Sequence, residues 1–170
     1  MKEHAMLAEL YKLVIRQGVS LRISGAGNTN DEEGFFDFKG NRIELFVPVA
    51  RGWVDPKTAG QIARQSTNPI FELITLAHEY GHFISARRGD RSAEFNLVNS
   101  TQVGQWQLLN AHQKEVIWIE ELIAWKNARY VLRGLGFDGW PTFNKAKIEA
   151  MAAYENRLHH TLNAVAIPAR

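Results

Sequence analysis

The stretch that decides the fold is residues 68–89, NPIFELITLAHEYGHFISARRG. Asn68 can accept a hydrogen bond from the first free amides of a helix, and Pro69 suits the first helical position. Apolar residues then recur at helical spacing, and Gly89 can adopt the left-handed conformation that commonly ends a helix. The sequence therefore predicts one long helix between Asn68 and Gly89.

Within this predicted helix, His78, Glu79 and His82 form the pattern His-Glu-x-x-His. Residues four positions apart lie on the same face of a helix, so both imidazoles can bind one metal ion while Glu79 reaches its bound water. The chain has no cysteine, which excludes thiolate ligands and leaves histidines and carboxylates. We therefore predict a catalytic Zn²⁺ site with His78 and His82 as metal ligands and Glu79 as the catalytic base.

A catalytic zinc site needs a third protein ligand and an open position for water. A second apolar helix is predicted from about Ala111 to Arg133, and Glu120 and Glu121 lie in its middle. Acidic side chains are seldom buried without a partner, so at least one of the two is expected to have a specific role. The helical periodicity is compatible with either residue as the third ligand.

The motif and the later glutamate helix resemble the gluzincin class of zinc peptidases. The metzincin class is excluded, because Ser85 and Arg88 stand where it requires Gly and His. The segment Glu121-Leu122-Ile123-Ala124 resembles the E-x-x-A segment that begins at the third ligand of several gluzincins. The resemblance therefore implies Glu121, in preference to Glu120, as the third metal ligand.

Residues 1–133 resemble most closely the ImmA/IrrE-like metallopeptidases, which are compact gluzincins. The resemblance implies a zinc-dependent endopeptidase, often one that cleaves a bacterial or phage transcriptional repressor. The chain departs from that family at the third ligand, where Glu-Leu-Ile or Glu-Glu-Leu replaces the usual Glu-Ala-Asn. A catalytically silent zinc-binding or protein-interaction module on the same fold is the alternative, but such a module has no need of the base Glu79.

The remaining segments predict an α+β fold in one domain spanning residues 1–170, and the resemblance implies that this fold is zincin-like. The expected architecture is a small, mainly antiparallel sheet packed on the active-site helix, with further helices towards the C-terminus. An amphipathic helix is predicted from Met1 to Gln17. Alternation of apolar and polar residues predicts a short strand and then a hairpin, with apolar positions Leu21, Ile23, Phe36, Phe38, Ile43, Leu45 and Val47. A loop or lid is predicted from Asp90 to about Asn110.

Three further expectations concern the surroundings of the site. The strand Ile43–Val47 is expected to bind an extended substrate if it forms the sheet edge. Gly81 is expected to pack closely against a strand, because glycine is otherwise unfavourable within a helix. A second group that stabilises the oxyanion is expected among the residues His112, Tyr130, Tyr154, His159 and His160.

The overall composition argues against several other classes of protein. The formal charge is only +2, from 20 basic and 18 acidic residues spread along the chain, so no nucleic-acid partner is expected. No apolar run approaches membrane-spanning length. The hydrophobic content of 45% supports a folded core rather than a disordered segment. A cytoplasmic protein acting on a peptide or protein substrate is expected, and the oligomeric state stays open.

Overall fold

The computed structural model describes residues 2–25, 33–89, 95 and 109–165, without the side chains of 153 and 155–165. This part of the chain contains five helices and one four-stranded sheet, which agrees with the predicted α+β class. The helices are α1 (Lys2–Arg16), α2 (Ala59–Arg64), α3 (Pro69–Arg88), α4 (Ala111–Gly134) and α5 (Trp140–Val165). The strands are β1 (Ser20–Gly25), β2 (Gly34–Asp37), β3 (Arg42–Val47) and β4 (Gly52–Val54).

The helices predicted at Met1–Gln17, Asn68–Gly89 and Ala111–Arg133 are present as α1, α3 and α4. In α3, the side chain of Asn68 accepts a hydrogen bond from the amide of Phe71, and Gly89 ends the helix at a φ of 72°. In α4, Asn110 and Gln113 form a capping box. The predicted loop from Asp90 lies, apart from residues 95, 109 and 110, outside the described part of the chain.

The sheet is mixed, whereas the sequence predicted a mainly antiparallel one. Its strand order is β2-β3-β1-β4. The predicted hairpin is present, with β2 antiparallel to β3 and Phe36 opposite Ile43. The hairpin joins the sheet through β3, which runs parallel to β1, while β4 pairs antiparallel with β1. Alternation along a strand reveals which side chains are buried but not which strands are neighbours, so the parallel pair was not predictable.

The strand order also corrects the expected substrate-binding edge. The segment Ile43–Val47 belongs to β3, which lies between β2 and β1 and has both edges paired. Among the described strands, the edges of the sheet are β2 and β4. Strand β4 is only three residues long, and neither it nor α2 was predicted, because such short segments do not establish a periodicity.

Helix α3 lies at the centre of the molecule. It contacts α4 along one side, and it also contacts α1, β2 and β3. Its buried residues include both apolar side chains and members of the His-Glu-x-x-His pattern. This central position places the motif between the sheet and α4. None of the described helices has both the length and the apolar composition needed to cross a membrane.

A buried polar cluster fixes the start of α3. One carboxylate oxygen of Glu72 accepts a hydrogen bond from Tyr11 at 3.0 Å and lies 2.5 Å from the Arg51 guanidinium. The other oxygen accepts a hydrogen bond from Ser66 at 2.6 Å. Because the charges of Arg51 and Glu72 neutralise each other and two hydroxyl groups also bind the carboxylate, the pair is tolerated in the core.

Candidate metal centre

Helices α3 and α4 bring His78, His82 and Glu121 together. The Nε2 atom of His78 lies 3.1 Å from one carboxylate oxygen of Glu121, and the Nε2 atom of His82 lies 3.5 Å from the other. One ligand atom from each of the three residues fits within a mutual distance of 4.8 Å. The two histidines and the glutamate that the sequence predicted as metal ligands thus form one cluster.

The donor types and spacing of these atoms are compatible with one shared Zn²⁺ ion. Bonds of about 2.0–2.2 Å at tetrahedral angles separate neighbouring ligand atoms by about 3.3–3.6 Å. The two carboxylate oxygens of Glu121 lie 3.1 Å from His78 and 3.5 Å from His82, each at or near that range. Both imidazoles present Nε2 to the cluster, as one donor atom each for a shared ion. The residues present therefore fit Zn²⁺.

The charges of the cluster are strongly coupled. Burial alone would lower the pKa of His82, but the charge of Glu121 and the nearby carboxylate of Glu120 outweigh burial and raise this pKa to about 10. Burial alone would raise the pKa of Glu121, but the charge of His82 and the contact with His78 hold it well below its usual range. Without a metal, His82 is therefore protonated beside an ionised Glu121 at neutral pH, and a metal ion must displace that proton.

Gly81 lets the two helices approach closely enough to form the cluster. A Cβ atom added at Gly81 would overlap the backbone carbonyl group of Ala124 in α4. The expected close packing of Gly81 is confirmed, but its neighbour is a helix and not a strand. Ala124 is fully buried at this crossing, which explains why a small residue follows Glu121 by one turn.

Asn127 also lies at the site, although the sequence did not predict a role for it. Its side-chain amide donates a buried hydrogen bond of 3.1 Å to the carbonyl oxygen of Gly81. This bond joins α4 to the middle of the His-Glu-x-x-His motif. A polar residue six positions after Glu121 in a largely buried helix was the available signal, but it did not reveal the partner.

The ring of His78 is held by an aromatic contact. Trp125 of α4 stacks on the His78 imidazole with ring centroids 4.2 Å apart and planes inclined by 26°. On its other side Trp125 meets Phe143 of α5 edge to face, at 5.4 Å. Because Trp125 is itself buried, it limits the orientations open to the His78 ring.

Glu79 lies in the same turn of α3 as His78 and is buried, with 8% of its surface exposed. Its negative charge helps to raise the pKa of His82, which places it within electrostatic range of the cluster. It does not belong to the three residues whose atoms converge. Glu79 is therefore a charged neighbour of the cluster and not one of its converging groups.

Glu33 lies near the site although it is far away in the sequence. Its carboxylate accepts a hydrogen bond of 3.4 Å from the hydroxyl of Thr75 on α3. Partial burial raises the pKa of Glu33, and the nearby charges of Glu149 and Glu79 raise it further, while His78 opposes them. No sequence signal pointed to Glu33, because only the pairing of β2 with β3 brings it to α3.

The expected second oxyanion donor is not identified among the described residues. Tyr130 is 73% exposed and lines a groove of about 510 Å³ formed by the C-terminal ends of α1, α3 and α4. His112 is exposed at the start of α4, 3.9 Å from Glu115. The side chains of His159 and His160 lie outside the described part of the chain, and for Tyr154 no contact with the cluster is described.

No family model, curated protein or solved structure matches this chain. The functional assignment therefore depends on the geometry of the site and on the motif.

Proposed function

We propose that this protein is a zinc-dependent endopeptidase of the gluzincin type, with a zincin-like fold and greatest resemblance to the ImmA/IrrE-like metallopeptidases. The observation that carries the proposal is the convergence of His78, His82 and Glu121 at zinc-like distances beside Glu79. A carboxylate poised next to such a ligand set suits hydrolysis better than a purely structural role.

In this proposal His78 and His82 contribute Nε2 atoms and Glu121 contributes its carboxylate to a bound Zn²⁺. When bound, the ion supplies positive charge that acidifies water and polarises the scissile carbonyl group. His82 and Glu121 are buried and His78 is only slightly exposed, and this low exposure strengthens the electrostatic interactions within the site.

Glu79 would act as the general base and then as the general acid. Its carboxylate accepts a proton from the attacking water and later delivers that proton to the nitrogen of the leaving amine. Both transfers need one carboxylate oxygen close to the reacting atoms. The position of Glu79 one residue after His78, on the central helix, holds the group there without making it a ligand.

Strand β2 replaces Ile43–Val47 as the proposed binding strand for an extended substrate. Gly34 at the start of β2 lies against Thr75, and Thr75 precedes Glu79 by four residues on the same face of α3. Among the described strands β2 is an edge, so its outer backbone groups can pair with a peptide. A substrate bound in this way would pass over the face of α3 that carries Glu79.

A catalytically silent zinc-binding or protein-interaction module is the second candidate. It is favoured by one observation, which is that His82 and Glu121 already satisfy each other as an ion pair without metal. Such a module would bind zinc but would have no use for Glu79 beside it.

The resemblance further suggests a regulatory protein, such as a transcriptional repressor in the cytoplasm, as the substrate of the active enzyme.

The test compares wild-type protein with Glu79→Gln, each loaded with one equivalent of Zn²⁺. Both are incubated with a peptide library prepared from a bacterial proteome, and newly formed N-termini are identified by mass spectrometry. We expect cleavage by the wild type, and loss of cleavage in Glu79→Gln at unchanged zinc content. Equal cleavage by both proteins would refute the role of Glu79, and no cleavage by zinc-loaded wild type would favour the silent module.

A further inference from the structure

The imidazole of His82 lies between two consecutive glutamates of α4. Its Nε2 atom is 3.5 Å from Glu121, and its Nδ1 atom is 3.7 Å from Oε1 of Glu120. Each of the three side chains is at most 12% exposed, and the side chain of Glu120 is only 3% exposed. Glu121 thus faces the nitrogen on the metal side of the ring, while Glu120 faces the nitrogen on the opposite side.

We propose that Glu120 is a positioning residue that orients His82 for metal binding and fixes its tautomer. The inference rests on the proposed metal site but not on the proposed peptidase activity. A neutral histidine that binds a metal through Nε2 carries its proton on Nδ1, and that proton needs an acceptor when it is buried. The Oε1 atom of Glu120 is the acceptor that faces it.

The distance between Nδ1 of His82 and Oε1 of Glu120 is slightly too long for a hydrogen bond. At 3.7 Å, Nδ1 of His82 is buried without a hydrogen bond in the described part of the chain. A charge-assisted N–H···O bond has a length of about 2.7–2.9 Å. A small rotation of either side chain, by roughly 1 Å at the tip, would close the gap. Metal binding at Nε2 would favour this movement because it leaves the proton on Nδ1.

The same geometry separates the roles of the two glutamates. A carboxylate that shares the metal must face the Nε2 atoms of both histidines, and Glu121 does so. Glu120 is described on the other side of the His82 ring and is absent from the convergent cluster. The two residues therefore have complementary functions on one imidazole, one as a ligand and one as the acceptor behind it.

The two histidines are fixed by different means. Nδ1 of His78 is also buried without a hydrogen bond among the described residues, but the ring of His78 stacks on Trp125. No stacked partner of that kind is described for His82. Loss of Glu120 should therefore affect the His82 ligand selectively.

The experiment measures zinc affinity by competition with a chromophoric chelator, and the Co²⁺ absorption spectrum of each loaded protein. Glu120→Ala removes the acceptor, while Glu120→Gln keeps an amide oxygen that can accept the Nδ1 proton. Glu115→Ala is the matched control, because Glu115 is an exposed glutamate on the same helix. Circular dichroism of the metal-free proteins establishes which variants fold.

We expect Glu120→Ala to bind zinc about 10- to 100-fold more weakly than wild type, with an altered Co²⁺ spectrum. Glu120→Gln should recover most of the affinity and the wild-type spectrum, and Glu115→Ala should change neither. If Glu120→Ala does not fold, Glu120→Gln alone decides: near-wild-type binding with the wild-type spectrum supports positioning, and loss of bound metal overturns it.

Two further results would overturn the inference. The first is wild-type affinity in folded Glu120→Ala, which would show that Nδ1 needs no carboxylate. The second is loss of zinc in both Glu120 variants with retention in Glu121→Ala, which would make Glu120 the ligand. Failure of the peptidase proposal is distinguishable, because in that case the protein binds zinc with the predicted dependence on Glu120 but cleaves no peptide.

Discussion

Gly81 of α3 lies directly against the backbone carbonyl group of Ala124 in α4, with no room for a side chain between them. This crossing sets the distance between the helix that carries His78 and His82 and the helix that carries Glu121. The glycine within the motif thus contributes to the geometry of the candidate metal centre through packing.

The variant Gly81→Ala should therefore lower both stability and zinc affinity. Overpacking a tight contact costs about 1–3 kcal/mol, and the higher helix propensity of alanine offsets about 1 kcal/mol of it. Gly134→Ala is the control, because a Cβ atom at Gly134 meets nothing within 4 Å. Urea denaturation and chelator competition measure the two effects. Wild-type stability and zinc affinity in Gly81→Ala would contradict this prediction, because they would show that α3 and α4 can move apart without loss of either property.

The sequence predicted the local features of the candidate metal centre but not the contacts between distant segments. The ends of α3 were predictable because Asn68, Pro69 and Gly89 act through local backbone chemistry. The contact between Gly81 and Ala124 was not, because it joins helices that are distant in the sequence. Glycine signalled a close approach but not the identity of its neighbour.

The choice between Glu120 and Glu121 shows a second limit. Consecutive residues on a helix differ by about 100° in direction, so periodicity allowed either one to face α3. In the structure both contact His82, through different nitrogens. Sequence spacing carries no information about which ring atom a carboxylate faces, and the two proposed roles rest on this distinction.

The metal-free protein should lose stability at alkaline pH through the His82–Glu121 pair. The folded-state pKa of His82 is about 10, above its ordinary value of 6.5, so the stabilisation is fully present below pH 6.5 and is lost as the pH rises towards 10. We expect the stability difference between wild type and Glu121→Gln to shrink over that interval. Urea denaturation in the presence of chelator at pH 6 and pH 10 measures it, and a constant difference would contradict the pairing.

Trp125 should be important for both the core and the site. Trp125→Ala removes the stacking on His78 and the contact with Phe143, and a buried Trp-to-Ala change costs about 3–5 kcal/mol. Trp125→Phe keeps an aromatic face and should retain more zinc affinity. Trp53→Ala is the control, because Trp53 is 56% exposed. Similar losses for Trp53 and Trp125 in thermal unfolding would argue against a specific role of the stacked pair.

The buried Arg51–Glu72 pair should stabilise the start of α3. Arg51→Met leaves the charge of Glu72 buried with only the hydroxyl groups of Tyr11 and Ser66 as described partners, and breaking a buried pair costs about 3–5 kcal/mol. Lys145→Met, which breaks an exposed pair with Glu149, should cost less than about 1 kcal/mol. Equal unfolding free energies for the two variants would show that Glu72 is adequately solvated without Arg51.

The most direct test of the metal centre is a crystal structure of the zinc-loaded protein with anomalous diffraction data at the zinc edge. We expect one strong anomalous peak, at an ion bound by Nε2 of His78, Nε2 of His82 and the carboxylate of Glu121, with Glu79 beside the open position. A peak bound by Glu120 in place of Glu121, or zinc bound away from His78 and His82, would contradict it.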